Sequence, residues 1–509
     1  MLYLQNENLC NKNHIAMKKL LFFFVVVLFP VFAFAQPNVS VDERFELTGV
    51  AFRLTGDEIF IHKVPENYVA DIDSCFSKYK DHELVQYLRK MIEARKRHFD
   101  FSVIADLAAD VEITPKGIVW TRKWEASYES EEYSQRDNAW SRAELKEYLR
   151  LLNKFYKDTK FHQFFVAHSS FYAVAEENMR QIVGRIDTAW FSDFFGQPFS
   201  LENVWVVPAN GRHNFSLNRT DARGVEHHHC VMGFTGRMDS MADLSTFTVL
   251  IHEICHNYNN PVCDRYHDSF QTISDSIYPY LMEDLNYRHY GYESILYEGM
   301  NRLCEYAYYQ AHHTMDSATL KDEIIYEELS GFIWLGEMLD YLKVFYLNRD
   351  RFPNYEAFMP QLVEFMHQVV DIFQRYYMPK RKMYNLLWPQ VIATYPANGS
   401  VVDTNLSKVI IMFSRPMCEA NIVCLIDNDS ILPLPLKRGC MRMNEKGEWE
   451  YVYERTECVY WKDRYTYVLP LSEPLKPKSR YGFYVNGRYF TEKQYFFGTR
   501  SVKLIFETK

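Results

Sequence analysis

The sequence lacks the features that mark several large classes of protein. Its 509 residues include 10 cysteines, but no two of them form a CxxC pair, which argues against a structural zinc cluster. After residue 35, no stretch approaches the roughly 18 uninterrupted apolar residues that a membrane-spanning helix needs. The formal charge of −9, from 57 basic and 66 acidic residues, gives no support to nucleic-acid binding, which favours basic patches.

What remains is the composition of a globular chain with two or three domains. Hydrophobic residues make up 48% and charged residues 24% of the sequence, close to the usual values. We predict an α+β fold class, with a helix-rich mixed domain over residues 36–387 and an all-β domain over 388–509. Within the first domain, strand-like pieces at 46–53 and 118–124 mix with helical pieces such as 82–98 and 142–157.

The most informative segment is His252-Glu253-Ile254-Cys255-His256. It follows an apolar run, 244–251, that contains no glycine or proline and therefore predicts a buried helix. Residues four apart share one face of a helix, so His252 and His256 can bind one Zn²⁺, while Glu253 can reach a water at the metal without being a ligand. The alternative is a chance match on a polar surface helix, which the apolar surroundings disfavour. Asparagines and Pro261 after the motif predict that the helix stops there.

A catalytic zinc normally has a third protein ligand. The extended motif HExxHxxGxxH would need glycine and histidine where this chain has Asn259 and Val262, so that class is excluded. The other common solution is a glutamate on a second helix, which the apolar spacing predicts over residues 292–309. Glu298 and Glu305 lie on one face of this helix, and either could reach the metal.

We prefer Glu298 because Arg302, one turn later, could hold its carboxylate. The alternative is that Glu298 and Arg302 form an ordinary surface ion pair.

These segments resemble a known group of proteins. HEICHNYNNP, followed by YEGMNRLCEYAYY, is similar to gluzincin-type zinc peptidases, and more closely to a secreted family of Gram-negative gut bacteria described as a domain of unknown function. The opening segment 41–50 also resembles that family, and the similarity spans roughly residues 40 to 385. The resemblance implies a zincin-like fold, with His252, His256 and Glu298 as zinc ligands and Glu253 as general base. The chain departs from commoner zincins in having Cys255 inside the motif and no NExxxD in the second helix.

The expected function is an exported zinc peptidase that hydrolyses peptide bonds with metal-activated water and Glu253 as general base. Arg302, His267 and Tyr292 are equal candidates for stabilising the oxyanion. The competing hypothesis is a non-catalytic secreted or surface protein that binds a partner through its C-terminal domain and keeps the zincin fold as a scaffold.

The N-terminus has the pattern of a signal peptide. Lys18 and Lys19 precede an apolar stretch over residues 20–34, and Ala33-Phe34-Ala35 fits a cleavage site. We expect residues 1–35 to be removed, with Met17 as an alternative start, and the mature protein to be periplasmic, secreted or on the surface of a Gram-negative bacterium. The alternative is an uncleaved N-terminal anchor.

We assign no chemistry to the C-terminal stretch, and a run of three histidines needs separate consideration. The all-β stretch from Trp388 resembles a bacterial Ig-like domain, because a Pro-x-Asn-Gly turn at 396–399 precedes an apolar strand and Phe-Ser-Arg-Pro-Met at 413–417. Such modules more often serve as spacers or adhesive appendages than as catalysts. The run His227-His228-His229 predicts a solvated loop, since adjacent histidines point in different directions and rarely bind one metal together. The alternative is that one of them lines the active site, because the segment lies just before the motif helix.

Overall fold

A computed structural model describes the chain from residue 36 to residue 509. Its description omits residues 63–64, 95–101, 122–139, 212, 222, 234–243, 282–293, 419–422, 427–429, 437–439, 444–448, 453–458, 486–489, 493–497 and 500–501. Helices dominate up to residue 387 and strands dominate from residue 391 onward, so the predicted mixture of helix and strand is confirmed. The predicted signal peptide, 1–35, lies outside the described residues.

The chain divides into two compact units, one ending at Asn257 and the other running from Tyr258 to Lys509. This division falls inside a single continuous helix, α9, which spans Leu244–Arg265. The predicted domain boundary at 387/388 coincides instead with the change from helices to strands, and it stays a prediction. Among the described residues, no helix is both long and apolar enough to cross a membrane.

The first unit packs helices around one small mixed sheet. Its four strands lie in the order β1-β4-β6-β5, with β1, β4 and β6 parallel and β5 antiparallel to β6. The inner strands β4 and β6 carry consecutive buried residues, as expected for strands covered on both faces. Its strands are β1 (Asn38–Val41), β2 (Val111–Thr114), β3 (Gly117–Trp120), β4 (Asn203–Val206), β5 (Phe215–Thr220) and β6 (Glu226–Met232).

Apart from the first half of α9, the helices of this unit precede the HExxH motif in the sequence. Helix α5 begins with a capping box, in which the side chains of Ser141 and Glu144 accept hydrogen bonds from each other's backbone N–H groups. The capping box explains why the helix begins at residue 142, as predicted. The helices are α1 (Glu43–Arg53), α2 (Glu66–Phe76), α3 (Glu83–Ala94), α4 (Ser102–Ala109), α5 (Arg142–Thr159), α6 (Phe161–Ala167), α7 (Ser169–Val183) and α8 (Thr188–Phe195), with short 3-10 turns at Glu58–Phe60, Ser77–Tyr79 and Pro208–Asn210.

The strand predicted at 46–53 is wrong, because this segment forms most of helix α1. Asp42 caps the helix by accepting a hydrogen bond from the backbone N–H of Arg44. Residues 45–52 are all buried, so the segment shows no polar face, and the helical period that would identify it is absent from the sequence. The strand predicted at 118–124 is present as β3, Gly117–Trp120, and the residues from 122 onward lie outside the described part.

Helix α1 also carries a buried acid. Glu46 is fully buried, and burial raises its pKa from 4.5 to about 7, against the opposing effect of hydrogen bonds from Tyr68 and from the backbone N–H of Ala209. The Ala209 N–H lies 3.1 Å from Glu46 Oε1, and the hydroxyl of Tyr68 donates to Oε2 and lies 2.8 Å from that of Tyr172. The carboxyl group thus links α1 to α2 and to the turn at Pro208–Asn210.

In the second unit, the segment of α9 from Tyr258 onward is followed by a series of further helices. Pairs packed against each other include α10 with α14 and α11 with α13. They are α10 (His267–Leu281), α11 (Ser294–His312), α12 (Ser317–Ser330), α13 (Leu335–Leu347), α14 (Tyr355–Ile372) and α15 (Met378–Tyr384), with a π-helical turn at Phe373–Tyr377 and a 3-10 turn at Asn385–Leu387.

The C-terminal strands form two four-stranded sheets, in the orders β13-β14-β9-β7 and β10-β15-β16-β8, and a separate two-stranded ribbon of β11 and β12. One hydrophobic cluster includes residues from both larger sheets, such as Ile411, Leu469, Phe483 and Phe506, as in a β-sandwich. The strands are β7 (Val391–Tyr395), β8 (Val401–Val402), β9 (Lys408–Phe413), β10 (Cys424–Leu425), β11 (Cys440–Met443), β12 (Trp449–Val452), β13 (Tyr460–Asp463), β14 (Thr466–Pro470), β15 (Arg480–Val485) and β16 (Val502–Thr508).

A first prediction concerns Glu46. The folded protein keeps this carboxyl protonated up to about pH 7, whereas the unfolded chain ionises it near 4.5. Its contribution to the free energy of unfolding is therefore fully present below the lower value and is lost as the pH rises through the higher one. Glu46→Gln does not titrate, so its stability relative to the wild type should increase between about pH 5 and about pH 8 in urea unfolding.

The exposed Glu147, which hydrogen-bonds Arg150, provides the control, since Glu147→Gln should produce no such rise. A constant difference between Glu46→Gln and the wild type across this pH range would contradict the assignment.

A second prediction concerns the strands that follow residue 388. Because the cluster shared by their sheets draws on residues 409–506 alone, a fragment of residues 388–509 should fold by itself. We expect a β-type circular-dichroism spectrum, cooperative unfolding and no hydrolytic activity. An unfolded or helical spectrum would reject the boundary.

Candidate metal centre

Helix α9 presents the motif in a mostly buried setting. Glu253 and His256 are buried at 7% and 9% exposure, and Ile254 and Cys255 between them are fully buried. His252 is only half-buried, so the polar face of the motif opens near this residue. The apolar run before the motif is buried in its second half, where Leu250 and Ile251 are fully buried, whereas Leu244 at its start is exposed.

The two imidazoles converge. Nε2 of His256 lies 3.1 Å from Nε2 of His252, and the rings are nearly perpendicular, with centroids 4.6 Å apart. Two nitrogen ligands at about 2.0–2.1 Å from a tetrahedral Zn²⁺ would be roughly 3.3 Å apart. The observed separation fits two ligands of a single ion.

Glu298, on α11, completes the cluster. One ligand atom from each of His252, His256 and Glu298 lies within 4.8 Å of the other two. Two imidazole nitrogens and a carboxylate oxygen form a donor set that suits a divalent transition metal. These three residues could therefore hold a metal ion, and they are the three that the sequence predicted.

Glu305, the alternative ligand, has other partners. Its carboxylate accepts a hydrogen bond of 2.6 Å from the Tyr309 hydroxyl and one of 2.9 Å from Nη1 of Arg302. Arg302 also forms an ion pair of 3.4 Å with Glu327. Within the described residues, the cluster of possible metal ligands includes Glu298 and not Glu305.

The predicted stop at Pro261 is wrong, because α9 continues to Arg265 with the proline inside it. A proline in a helix interior lacks the N–H that would bond to the carbonyl four residues earlier, and it costs about 3 kcal/mol. Here that carbonyl belongs to Asn257, and Nδ2 of Asn218 donates to it at 3.0 Å. One such bond contributes about 0.5–1.5 kcal/mol, so it offsets part of the cost, and burial of the helix must supply the rest.

The predicted solvated loop at 227–229 is also wrong. These histidines lie on strand β6, where His228 and His229 are buried. Burial lowers the pKa of His229 to about 4, and its ring lies against Trp205, with centroids 4.8 Å apart. Nδ2 of Asn203 lies 3.0 Å from Nδ1 of His229. His229 is therefore a neutral packing residue, and it was missed because three adjacent polar residues hide the alternation of a strand.

Strand β6 lies directly against the motif helix. Nδ2 of Asn257 donates to the backbone oxygen of His229 at 3.3 Å and lies 3.7 Å from Sγ of Cys230. Burial raises the pKa of the Cys230 thiol well above its usual value, and the charge of Glu253 raises it further. Sequence reasoning missed Asn218 and Asn257, although the unusual run Asn257-Tyr-Asn-Asn260 was a visible signal of buried amide contacts.

The three oxyanion candidates differ in what the structure shows. Arg302 is engaged with Glu305 and Glu327, as described above. His267 begins α10, and its Nδ1 lies 3.5 Å from the Tyr297 hydroxyl. Tyr292 lies outside the described residues.

A third prediction follows from this geometry. The protein should bind one divalent metal ion through the cluster, and His252→Ala, His256→Ala and Glu298→Ala should each weaken that binding, because each removes a ligand. Glu305→Ala is the matched control, since it removes a carboxylate from the same helix outside the cluster. Elemental analysis and competition with a chelator measure the effect. Full metal retention by both histidine variants would show that these residues do not form a metal centre.

Comparison with known proteins identifies a family but not an activity. No curated protein matches the sequence. Among solved structures, the surface-layer protein SbsC matches with 12% identity and a TM-score of 0.15 over 54% of this chain and 38% of that chain, and a structure of its domains 1–6 matches with 11% identity and a TM-score of 0.15 over 53% and 33%. The chain thus spans well under half of those proteins, and the TM-scores are too low to indicate a shared fold. A family model described as a domain of unknown function (DUF4932) matches residues 41–365, more than half of the sequence, and the chain therefore belongs to the DUF4932 family.

Proposed function

We propose that this protein is an exported zinc-dependent peptidase. The observation that carries the proposal is the convergence of His252, His256 and Glu298 within 4.8 Å, with a buried carboxylate, Glu253, next to the first ligand on the same helix. Three protein ligands leave a position for a water or substrate, which distinguishes catalytic from structural zinc sites.

Zinc is the metal that we propose, because its catalytic sites use histidine and glutamate in this combination. When bound, zinc would supply Lewis acidity and make a nearby water more acidic. The histidines can act as neutral ligands through Nε2, and Glu298 supplies one negative charge.

Glu253 is proposed to move the proton. It follows His252 directly, so its side chain leaves the helix about 100° round from that ligand and need not itself bind the metal. A carboxylate there can accept a proton from the attacking water and transfer it to the leaving amine of the substrate. Its burial at 7% exposure keeps competing solvent away and strengthens its electrostatic effect.

A peptide substrate is supported by the edge of the first sheet. Strand β5 is last in the strand order, and in the described part of the chain its outer side pairs with no strand. Asn218 of β5 reaches the backbone of Asn257, the residue that follows His256. A strand edge without a neighbouring strand can bind an extended peptide through backbone hydrogen bonds, and we propose that the substrate lies along β5.

Export is part of the proposal and is supported by the sequence pattern of residues 1–35. The competing proposal, a non-catalytic protein that binds a partner through residues 388–509, predicts metal binding without turnover. No feature of the described C-terminal strands favours a particular partner.

A fourth prediction separates catalysis from metal binding. Glu253→Gln keeps the shape of the side chain but cannot accept a proton, so zinc content should stay near the wild-type level while hydrolysis of a mixed peptide library falls by roughly 10²-fold or more. Wild-type hydrolysis should also disappear with a chelator and return when zinc is added.

Three outcomes discriminate between the proposals. Zinc loss in Glu253→Gln would mean that the local geometry is misassigned, and full activity in this variant would remove the motif from catalysis. A wild-type protein that binds zinc but cleaves no peptide would favour the binding protein.

A further inference from the structure

Asn259 connects the helix of the two histidines to the helix of Glu298. It lies on α9 one turn after His256 and is fully buried. Its Nδ2 donates to the backbone oxygen of Tyr297 at 3.2 Å, and Tyr297 immediately precedes Glu298 on α11. The buried amide of Asn259 therefore contacts the residue next to Glu298, the third member of the metal cluster.

The orientation of this amide is fixed by its other contacts. Oδ1 of Asn259 accepts a hydrogen bond of 2.9 Å from the Tyr355 hydroxyl and one of 3.4 Å from Sγ of Cys263. Because a carbonyl oxygen can only accept, the NH₂ group must face Tyr297 and the oxygen must face the two donors. All these groups are buried at 2% exposure or less except Tyr297, so the side chain has little freedom to turn.

Tyr297 is held at a second point on α9. Its hydroxyl donates to Oδ1 of Asp264 at 2.9 Å. Asn259 thus holds the backbone of Tyr297 and Asp264 holds the tip of its side chain. A rotation or a slide of α11 at this level would break at least one of these bonds. Asp264 is exposed, and exposed polar contacts contribute little, so the buried Asn259 contact is the stronger of the two.

We infer that Asn259 is a positioning residue for the metal centre, which sets the height and rotation of α11 so that the Glu298 carboxylate reaches the ion held by His252 and His256. The inference rests on the proposed metal site and adds a role for a residue that binds no metal itself. Partners that orient ligands in this way typically change metal affinity by about 10–100-fold when they are removed.

The test measures zinc affinity and not turnover. Asn259→Ala removes the donor to Tyr297 and should weaken zinc binding by about 10–100-fold. Tyr297→Phe removes only the exposed tie to Asp264 and should weaken it by about threefold or less. Chelator competition gives the dissociation constants, and Co²⁺ bound in place of zinc reports the ligand set through its visible absorption spectrum. In Asn259→Ala this spectrum should shift towards that of Glu298→Ala.

Val262→Ala is the matched control. Val262 lies on the same helix at 6% exposure, and its truncation costs packing without removing a hydrogen-bond donor. We expect lower thermal stability in this variant with unchanged zinc affinity and an unchanged Co²⁺ spectrum. If Asn259→Ala does not fold, Asn259→Ser replaces it, because the shorter side chain cannot span the distance to Tyr297.

A double-mutant cycle decides whether Asn259 acts through Glu298. In the Glu298→Ala background, Asn259→Ala should cause little further loss of affinity, because the ligand that it positions is already gone. Equal losses in both backgrounds would overturn the inference, and so would wild-type affinity in Asn259→Ala while Glu298→Ala loses metal. A wild-type protein that binds no zinc would instead overturn the proposed function, and the inference with it.

Discussion

The candidate centre lies on a helix that passes through a proline, so one buried backbone carbonyl needs a substitute hydrogen-bond donor. Pro261 removes a backbone N–H only five residues after His256, and the carbonyl of Asn257 loses its usual partner as a result. Asn218, from the edge strand β5, supplies a side-chain N–H in its place. This bond offsets part of the cost of the proline, and the helix extends to Arg265, so that Asp264 can contact Tyr297.

Two asparagines that follow the motif connect α9 to two different elements. Asn257 contacts strand β6 through the backbone of His229, whereas Asn259 contacts the backbone of Tyr297 on α11. An amide suits this role because it offers donors and an acceptor without a charge, so it can be buried when its partners are fixed. Asn257 and Asn259, which the sequence predicted at a helix end, thus lie inside α9 and connect it to β6 and α11.

The sequence predicted the parts of this fold that have a visible period or a specific motif. Helices α3 and α5 show apolar residues at helical spacing, and residue type and spacing pointed to His252 and His256. Spacing left Glu298 and Glu305 open, and the preference for Glu298 rested on Arg302, which contacts Glu305 and Glu327. Helix α1 was missed because it is buried on every side. Strand β6 was missed because its histidines conceal an apolar environment. The continuation of α9 could not have been predicted, since the carbonyl that Pro261 leaves without its usual partner finds a donor about 40 residues earlier in the chain, and burial supplies the rest of the stabilisation.

The reactivity of the buried cysteines around the motif reports local opening of this region. Cys230, Cys255, Cys263 and Cys304 are buried thiols on β6, α9 and α11, and burial raises the pKa of Cys230, Cys263 and Cys304 above the usual value for cysteine. Such thiols react with alkylating reagents only when the surrounding structure opens. Cys75, by contrast, is exposed and would be modified at once. Slow alkylation at these four thiols, followed residue by residue, therefore records how often the structure around them opens.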